Sequence, residues 1–84
     1  MQNTEIMPIT QLVGEIVKCL IDNPSSIQIE ETAGDRTIII QIKVDKSDIG
    51  KVIGKSGRII SSMRTICENI AAKNDKRISI HIID

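Results

Sequence analysis

Apolar positions along this chain switch between two periods, and each switch predicts a new element. From Met7 to Ile21 the residues Ile9, Leu12, Val13, Ile16, Val17, Leu20 and Ile21 recur at three-and-four spacing, the signature of an amphipathic helix. Pro8 suits its first turn, and Asn23-Pro24 stops it. Burying each large apolar side chain contributes roughly 1.5–3 kcal/mol, which outweighs the roughly 1 kcal/mol that Gly14 costs inside a helix relative to Ala. Ser26 to Thr32 then alternates, with Ile27 and Ile29 against Gln28 and Glu30. Gly34-Asp35 supplies a turn, and Thr37 to Val44 alternates again through Ile38, Ile40, Ile42 and Val44. The pattern predicts an antiparallel hairpin, with Ile39 as the exception on its polar face.

Asp45 can cap a short helix from Lys46 to Ile53. A second helical set, Ile59, Met63, Ile66, Cys67, Ile70 and Ala71, predicts a longer helix from about Gly57 to Lys73, ended by Asn74-Asp75. Arg77 to Ile83 alternates once more, with Ile78, Ile80 and Ile82 inward and Arg77, Ser79 and His81 outward. The order is αββααβ. A strand, two helices and a strand make a crossover, so the third strand should lie parallel beside the second, with the first strand antiparallel on the other edge. The fold class expected is an α+β two-layer sandwich whose three-stranded mixed sheet carries helices on one face only.

A chain of 84 residues bounds this to one small domain, residues 1–84, with residues 1–7 expected to be a flexible N-terminal extension. Its apolar stretches are a few residues long, and Met1 to Thr10 lacks the basic and apolar regions of a leader. A cytoplasmic protein without membrane contact is expected. Cys19 and Cys67 have no Cys or His at metal-ligand spacing and read as small buried or half-buried hydrophobes, so no metal or disulfide framework is implied.

Formal net charge is zero, but residues 1–42 carry two Lys/Arg against six Asp/Glu while residues 43–84 carry nine against five. Between Lys46 and Arg64 the cations Lys46, Lys51, Lys55, Arg58 and Arg64 face one acid, Asp48. Any polyanion site belongs there. With no Phe, Tyr or Trp, the chain cannot stack bases on aromatic rings as RNA-recognition motifs do.

Gly54-Lys55-Ser56-Gly57 joins two predicted helices tightly. Its glycines allow close backbone approach, the following helix offers unpaired amides, Lys55 and Arg58 add charge, and Ser56 adds a donor. A Walker loop needs four residues between its first glycine and the Gly-Lys-Ser, whereas Gly50 and Gly54 enclose three, and no strand leads in. The dinucleotide fingerprint fails on its first interval as well. Nucleotide hydrolysis and redox chemistry are poorly supported.

The run Ile49-Gly50-Lys51-Val52-Ile53-Gly54-Lys55-Ser56-Gly57-Arg58-Ile59-Ile60, set within αββααβ, closely resembles the Ile-Gly-x-x-Gly-x-x-Ile core of KH domains in their type II order. Nearly the whole chain is similar to the small single-KH bacterial proteins of the KhpA family. That resemblance implies a non-catalytic RNA chaperone or post-transcriptional regulator gripping about four single-stranded nucleotides. Gly54, Lys55, Ser56 and Gly57 would clamp the backbone, with Arg58 and Lys51 beside them. Ile49, Val52, Ile53 and Ile60 would form the groove floor or the core beneath it. The resemblance also implies pairing, as a homodimer or with a Jag/EloR-type KH partner.

Arg64 lies a turn and a half beyond the loop, and its part is left open. Lys46 reads as plain surface. His81, the sole histidine, reads as a solvated strand residue without catalytic company. A protein-assembly module with secondary or lost RNA binding is the alternative function, motivated by the zero net charge and by Ile39 and Ile83 on the polar sheet face.

Overall fold

The computed structural model describes residues 9–83, so the predicted helix start at Met7 and Pro8 and the expected extension over residues 1–7 lie outside the described residues. Helix α1 spans Ile9–Leu20 and buries Val13 and Val17 completely. It stops just short of the predicted Ile21 because the next amides leave the helical ladder: those of Asp22 and Asn23 donate to the Asp48 carboxylate at 3.2 and 3.0 Å. A 3₁₀ turn, Pro24–Ser26, follows. It takes Ser26, whose amide donates to the Asn23 carbonyl, out of the predicted strand.

Strands β1 (Gln28–Ala33), β2 (Thr37–Lys43) and β3 (Arg77–Ile83) form one sheet in the order β1-β2-β3. As the crossover argument requires, β1 pairs antiparallel with β2 and β3 pairs parallel with it. The register Ile29↔Ile42↔Ile82 and the pair Ile40↔Ile80 put isoleucines on one face, while Glu30↔Gln41↔His81 puts polar groups on the other. Ile40, Ile42 and Ile80 are buried, and Gln41 and His81 are exposed. Gly14 has a local reason: a Cβ there would stand 3.3 Å from Ile29 Cδ1, so the missing side chain lets α1 settle onto β1. The Thr10 hydroxyl donates to Glu31 across the same contact.

Between β2 and β3 the predicted Lys46–Ile53 helix divides in two. A 3₁₀ turn, Lys46–Asp48, is capped by Asp45, whose Oδ1 accepts from the Ser47 amide at 3.0 Å and the Ser47 hydroxyl at 2.8 Å. Helix α2 spans Ile49–Ile53, and helix α3 spans Arg58–Lys73. On α3 the core face is Ile60, Met63, Cys67 and Ala71, a stripe rotated from the predicted one. Ile59, predicted as core, is half-buried, and Ile66 is 51% exposed. Two apolar stripes overlap on α3, and the sheet covers only one of them. Cys19 corrects the expectation too: it is exposed, because two residues from Val17 lies nearly across the helix. Cys67 is buried as expected, and burial pushes its thiol pKa up.

Asp48 holds the helices together. Its side chain is fully buried, yet both carboxylate oxygens are satisfied: by the Asp22 amide, by the Asn23 amide and Nδ2 (each 3.0 Å), and by Lys51 Nζ at 3.4 Å. Burial pushes its pKa up, and the hydrogen bonds from Asp22 and Asn23, with that from Lys51, outweigh it and hold the carboxyl below its ordinary range. The unfolded value is about 3.9, so this stabilisation is complete above about pH 4 and is lost as pH falls through the lower folded value. Asp48→Asn should lower the melting temperature at neutral pH by roughly 10 °C and flatten the acid limb of stability, which thermal melts across an acid pH series measure.

Candidate nucleic-acid interface

The loop between α2 and α3 is built from backbone angles that its sequence selects. The Gly54 amide closes α2 on the Gly50 carbonyl at 2.8 Å, and Gly54 then turns to φ 80°, ψ 172°. A Cβ on Gly54 would lie 2.5 Å from Ile59 Cγ1 and 2.8 Å from Ile59 Cβ, so the chain passes directly against that side chain. Ser56 (φ 56°, ψ 26°) and Gly57 (φ 73°, ψ 15°) are consecutive left-handed residues, and the Gly57 amide donates to the Gly54 carbonyl at 3.1 Å. A left-handed non-glycine residue costs roughly 1–2 kcal/mol, so the surrounding structure holds Ser56 in place.

This geometry places Lys55 and Ser56 at an exposed tip and starts α3 at Arg58 with no side chain bonded to its first amides. The Arg58 amide is taken by the Lys55 carbonyl, so it is the amides after it and the positive end of the sixteen-residue helix that are left without side-chain caps near the loop. Lys55 and Arg58 are exposed and, among the described residues, form no ion pair. Gly54, Lys55, Ser56, Gly57 and Arg58 thus come together as one basic, donor-rich surface.

The other predicted site residues divide. Lys51 points elsewhere: its Nζ lies 3.4 Å from Asp22 Oδ2, from Asp48 Oδ1 and from the Ser47 carbonyl. Its pKa is raised by the hydrogen bond to Asp22 first and to Asp48 next, so carboxylates already share its charge. Val52 is 0% exposed and Ile60 6%, so both belong to the core beneath the loop. Ile49 and Ile53 are half-buried and keep some accessible apolar surface.

Arg64, left open by the sequence, has a defined place. Its Nε and Nη2 donate to the Ile80 carbonyl at 3.2 and 3.0 Å, bridging α3 to the edge strand β3. Nothing local announces this, because the partner lies sixteen residues away in sequence. A recess of about 190 Å³ opens beside it, lined by Arg64, Glu68, Ile78, Ser79, Ile80 and His81. On the opposite flank of α3, a groove of about 310 Å³ is lined by Ile16, Arg58, Ile59, Ser62, Met63 and Ile66. No helix among the described residues is long and apolar enough to cross a membrane.

A three-stranded mixed sheet in this order, one helical layer and a Gly-x-x-Gly turn between α2 and α3 define a type II KH domain. A model of the family described as "KhpA/KhpB, KH domain" matches residues 10–82. The chain belongs to that family, a non-catalytic one. Two relatives, each carrying the name RNA-binding protein KhpA, come from Caldanaerobacter subterraneus subsp. tengcongensis and Clostridium acetobutylicum. They are 45% and 44% identical over 73 residues, which is 87% of this chain and 97% of theirs. A KhpA from Chlamydia pneumoniae is 40% identical over 74 residues, 88% of this chain and 95% of its own. Among solved structures, a chain of the crystal structure of Era in complex with MgGDPNP and nucleotides 1506–1542 of 16S ribosomal RNA superposes with a TM-score of 0.51 at 18% identity. The match covers 99% of this chain and 37% of that one, and shows the shared fold.

The two loop glycines should respond differently to substitution. Gly54→Ala drives a methyl into Ile59 and should cost roughly 2–4 kcal/mol. At Gly57 a Cβ meets nothing within 4 Å, so Gly57→Ala should cost only the left-handed strain, about 1 kcal/mol. Urea unfolding of the two variants measures the difference.

Proposed function

We propose that this chain is a non-catalytic RNA-binding protein that clamps the backbone of a short unpaired stretch, about four nucleotides, at Gly54-Lys55-Ser56-Gly57. One observation carries the reading: the loop presents an exposed Lys55-Ser56 tip, two left-handed residues and the uncapped start of α3 at one spot. Phosphate oxygens would be met there by backbone amides and by the unpaired cations Lys55 and Arg58. Ile49 and Ile53 supply the aliphatic contact that replaces aromatic stacking. The relatives' shared name, RNA-binding protein, supports the same reading. So few contacts imply modest affinity, which suits a cytoplasmic RNA chaperone or post-transcriptional regulator that must release its targets.

Replacing Lys55 and Ser56 together by Asp puts two negative charges where phosphate would lie and leaves the core untouched. Binding of short single-stranded RNA, followed by fluorescence anisotropy, should weaken at least tenfold while the circular dichroism spectrum is unchanged. Unaltered binding by the folded variant would place the RNA somewhere else.

Ile66 favours pairing as a second element of the function. It is 51% exposed and lines the α1/α3 groove with Ile16, Ile59 and Met63, and zero net charge leaves little long-range repulsion between copies. We therefore place the contact with a second KH chain, most simply another copy, on this face. Two joined loops would raise affinity through effective concentration. Ile66→Asp should turn a dimer into a monomer in sedimentation velocity; a variant that sediments like the parent protein would move the contact off this face.

A further inference from the structure

We propose a second phosphate-binding surface at the far end of α3, formed by Arg36, Lys76 and Arg77, which takes the backbone of an RNA strand several nucleotides beyond the loop; this rests on the RNA-binding function proposed for the chain. Three segments meet there: the hairpin turn before β2, the end of α3 and the start of β3. Hydrogen bonds stitch them together. The Lys76 amide donates to the Ala71 carbonyl at 2.8 Å and the Asp75 amide to that of Ala72 at 3.0 Å, a Schellman ending with Asp75 left-handed at φ 60°. The Arg77 amide then donates to the Arg36 carbonyl at 2.7 Å, and Lys76 Nζ to the Asp35 carbonyl at 3.2 Å.

A cleft of about 510 Å³ results, with Arg36, Lys76 and Arg77 on its walls. Arg36 and Arg77 are exposed, and none of the three cations has a carboxylate within ion-pair distance among the described residues. Lys76 bonds a carbonyl, which leaves its full charge in place. With Lys73 in the last turn of α3, four cations stand against two carboxylates, Asp35 and Asp75, so the pole keeps two positive charges. Lys73 alone would be an ordinary helix-end cation. Arg36 and Arg77 flank the sheet instead, and no helix end calls for them.

The position of the cleft selects its occupant. Arg64, Glu68 and Ala72 stand four residues apart on one stripe of α3; the first two line the recess beside β3 and the third lines the cleft. On β3, Ile78 to His81 border the recess and Arg77 borders the cleft. Recess and cleft are therefore consecutive stretches of one α3/β3 seam that leads away from the loop. From Arg58 to Ala72 the helix rises about 21 Å, and a stacked strand advances about 3.4 Å per phosphate, so about six nucleotides bridge loop and pole. An acidic protein would feel the same charge, but only a strand gripped at the loop is led along the seam to it.

The test is an NMR titration of amide resonances with oligouridines of four and twelve nucleotides. The four-mer should shift amides around Gly54-Lys55-Ser56-Gly57, and the twelve-mer should shift those of Arg36, Lys76 and Arg77 as well. Arg36→Gln with Arg77→Gln removes two charges and no backbone bond, its folding checked by thermal melting. In anisotropy it should weaken the twelve-mer about fivefold and reduce its salt slope by about 1.4. Four-mer shifts at the loop should be unchanged, because about 20 Å exceeds twice the Debye length at physiological salt. A longer strand also offers more registers, an advantage parent and variant share. Loop shifts with both lengths but no added shifts at the pole overturn this proposal alone, and leave the pole to an acidic protein. A variant that binds the twelve-mer like the parent overturns it too. Absence of loop shifts with either length removes the RNA function itself, and this proposal with it.

Discussion

A single buried carboxylate ties the end of α1 to the start of α2. Asp48 is the one buried charged residue among the described residues, and it is tolerated because backbone and side-chain donors from the end of α1 surround it on one side and Lys51 closes it on the other. Remove it, and the amides of Asp22 and Asn23 face the interior with no acceptor. Its consequences reach well beyond those amides. By fixing where α1 ends it also fixes where α2 begins, and α2 leads straight into the loop at Gly54. The basic surface is therefore aimed by an acidic residue that no ligand need ever touch.

Much of this fold is legible in the sequence because it is written in local periods. The alternation of Ile38, Ile40 and Ile42, and of Ile78, Ile80 and Ile82, depends only on neighbours two residues apart, and the handedness of crossovers then leaves one natural strand order. The loop is legible for a related reason. Its two glycines sit where the backbone demands left-handed or crowded geometry, so their identity and their structure are one fact. What escapes is whatever depends on a distant partner. Lys51 counts as a free cation until Asp22 is brought beside it, and Arg64 is undecided until β3 arrives. The stripes of α3 fail differently: Ile59, Ile60, Met63, Ile66 and Cys67 satisfy helical spacing in more than one way, and only the sheet decides which of them is core.

Helix α3 organises the surface through that surplus of apolar residues. One flank meets β3 through Arg64, another holds the sheet through Met63 and Cys67, and a third is left with Ile66 in solvent. A sixteen-residue helix so divided can serve a nucleic acid on one side and a protein on the other without either crossing the core. The two functions weighed from the sequence, RNA binding and assembly, would meet at Arg58, which stands beside the loop and also lines the α1/α3 groove.

Consider finally the consecutive left-handed residues Ser56 and Gly57. For the clamp proposed at this loop, a shape already bent would not have to fold around an incoming strand, so encounter would proceed without a slow rearrangement, at a rate set by diffusion and charge. With arrival fast and few contacts to break, residence would be brief, and differences in affinity between transcripts would become differences in departure time. A clamp of that kind would sample many RNAs in quick succession and linger only where a second contact delays its release.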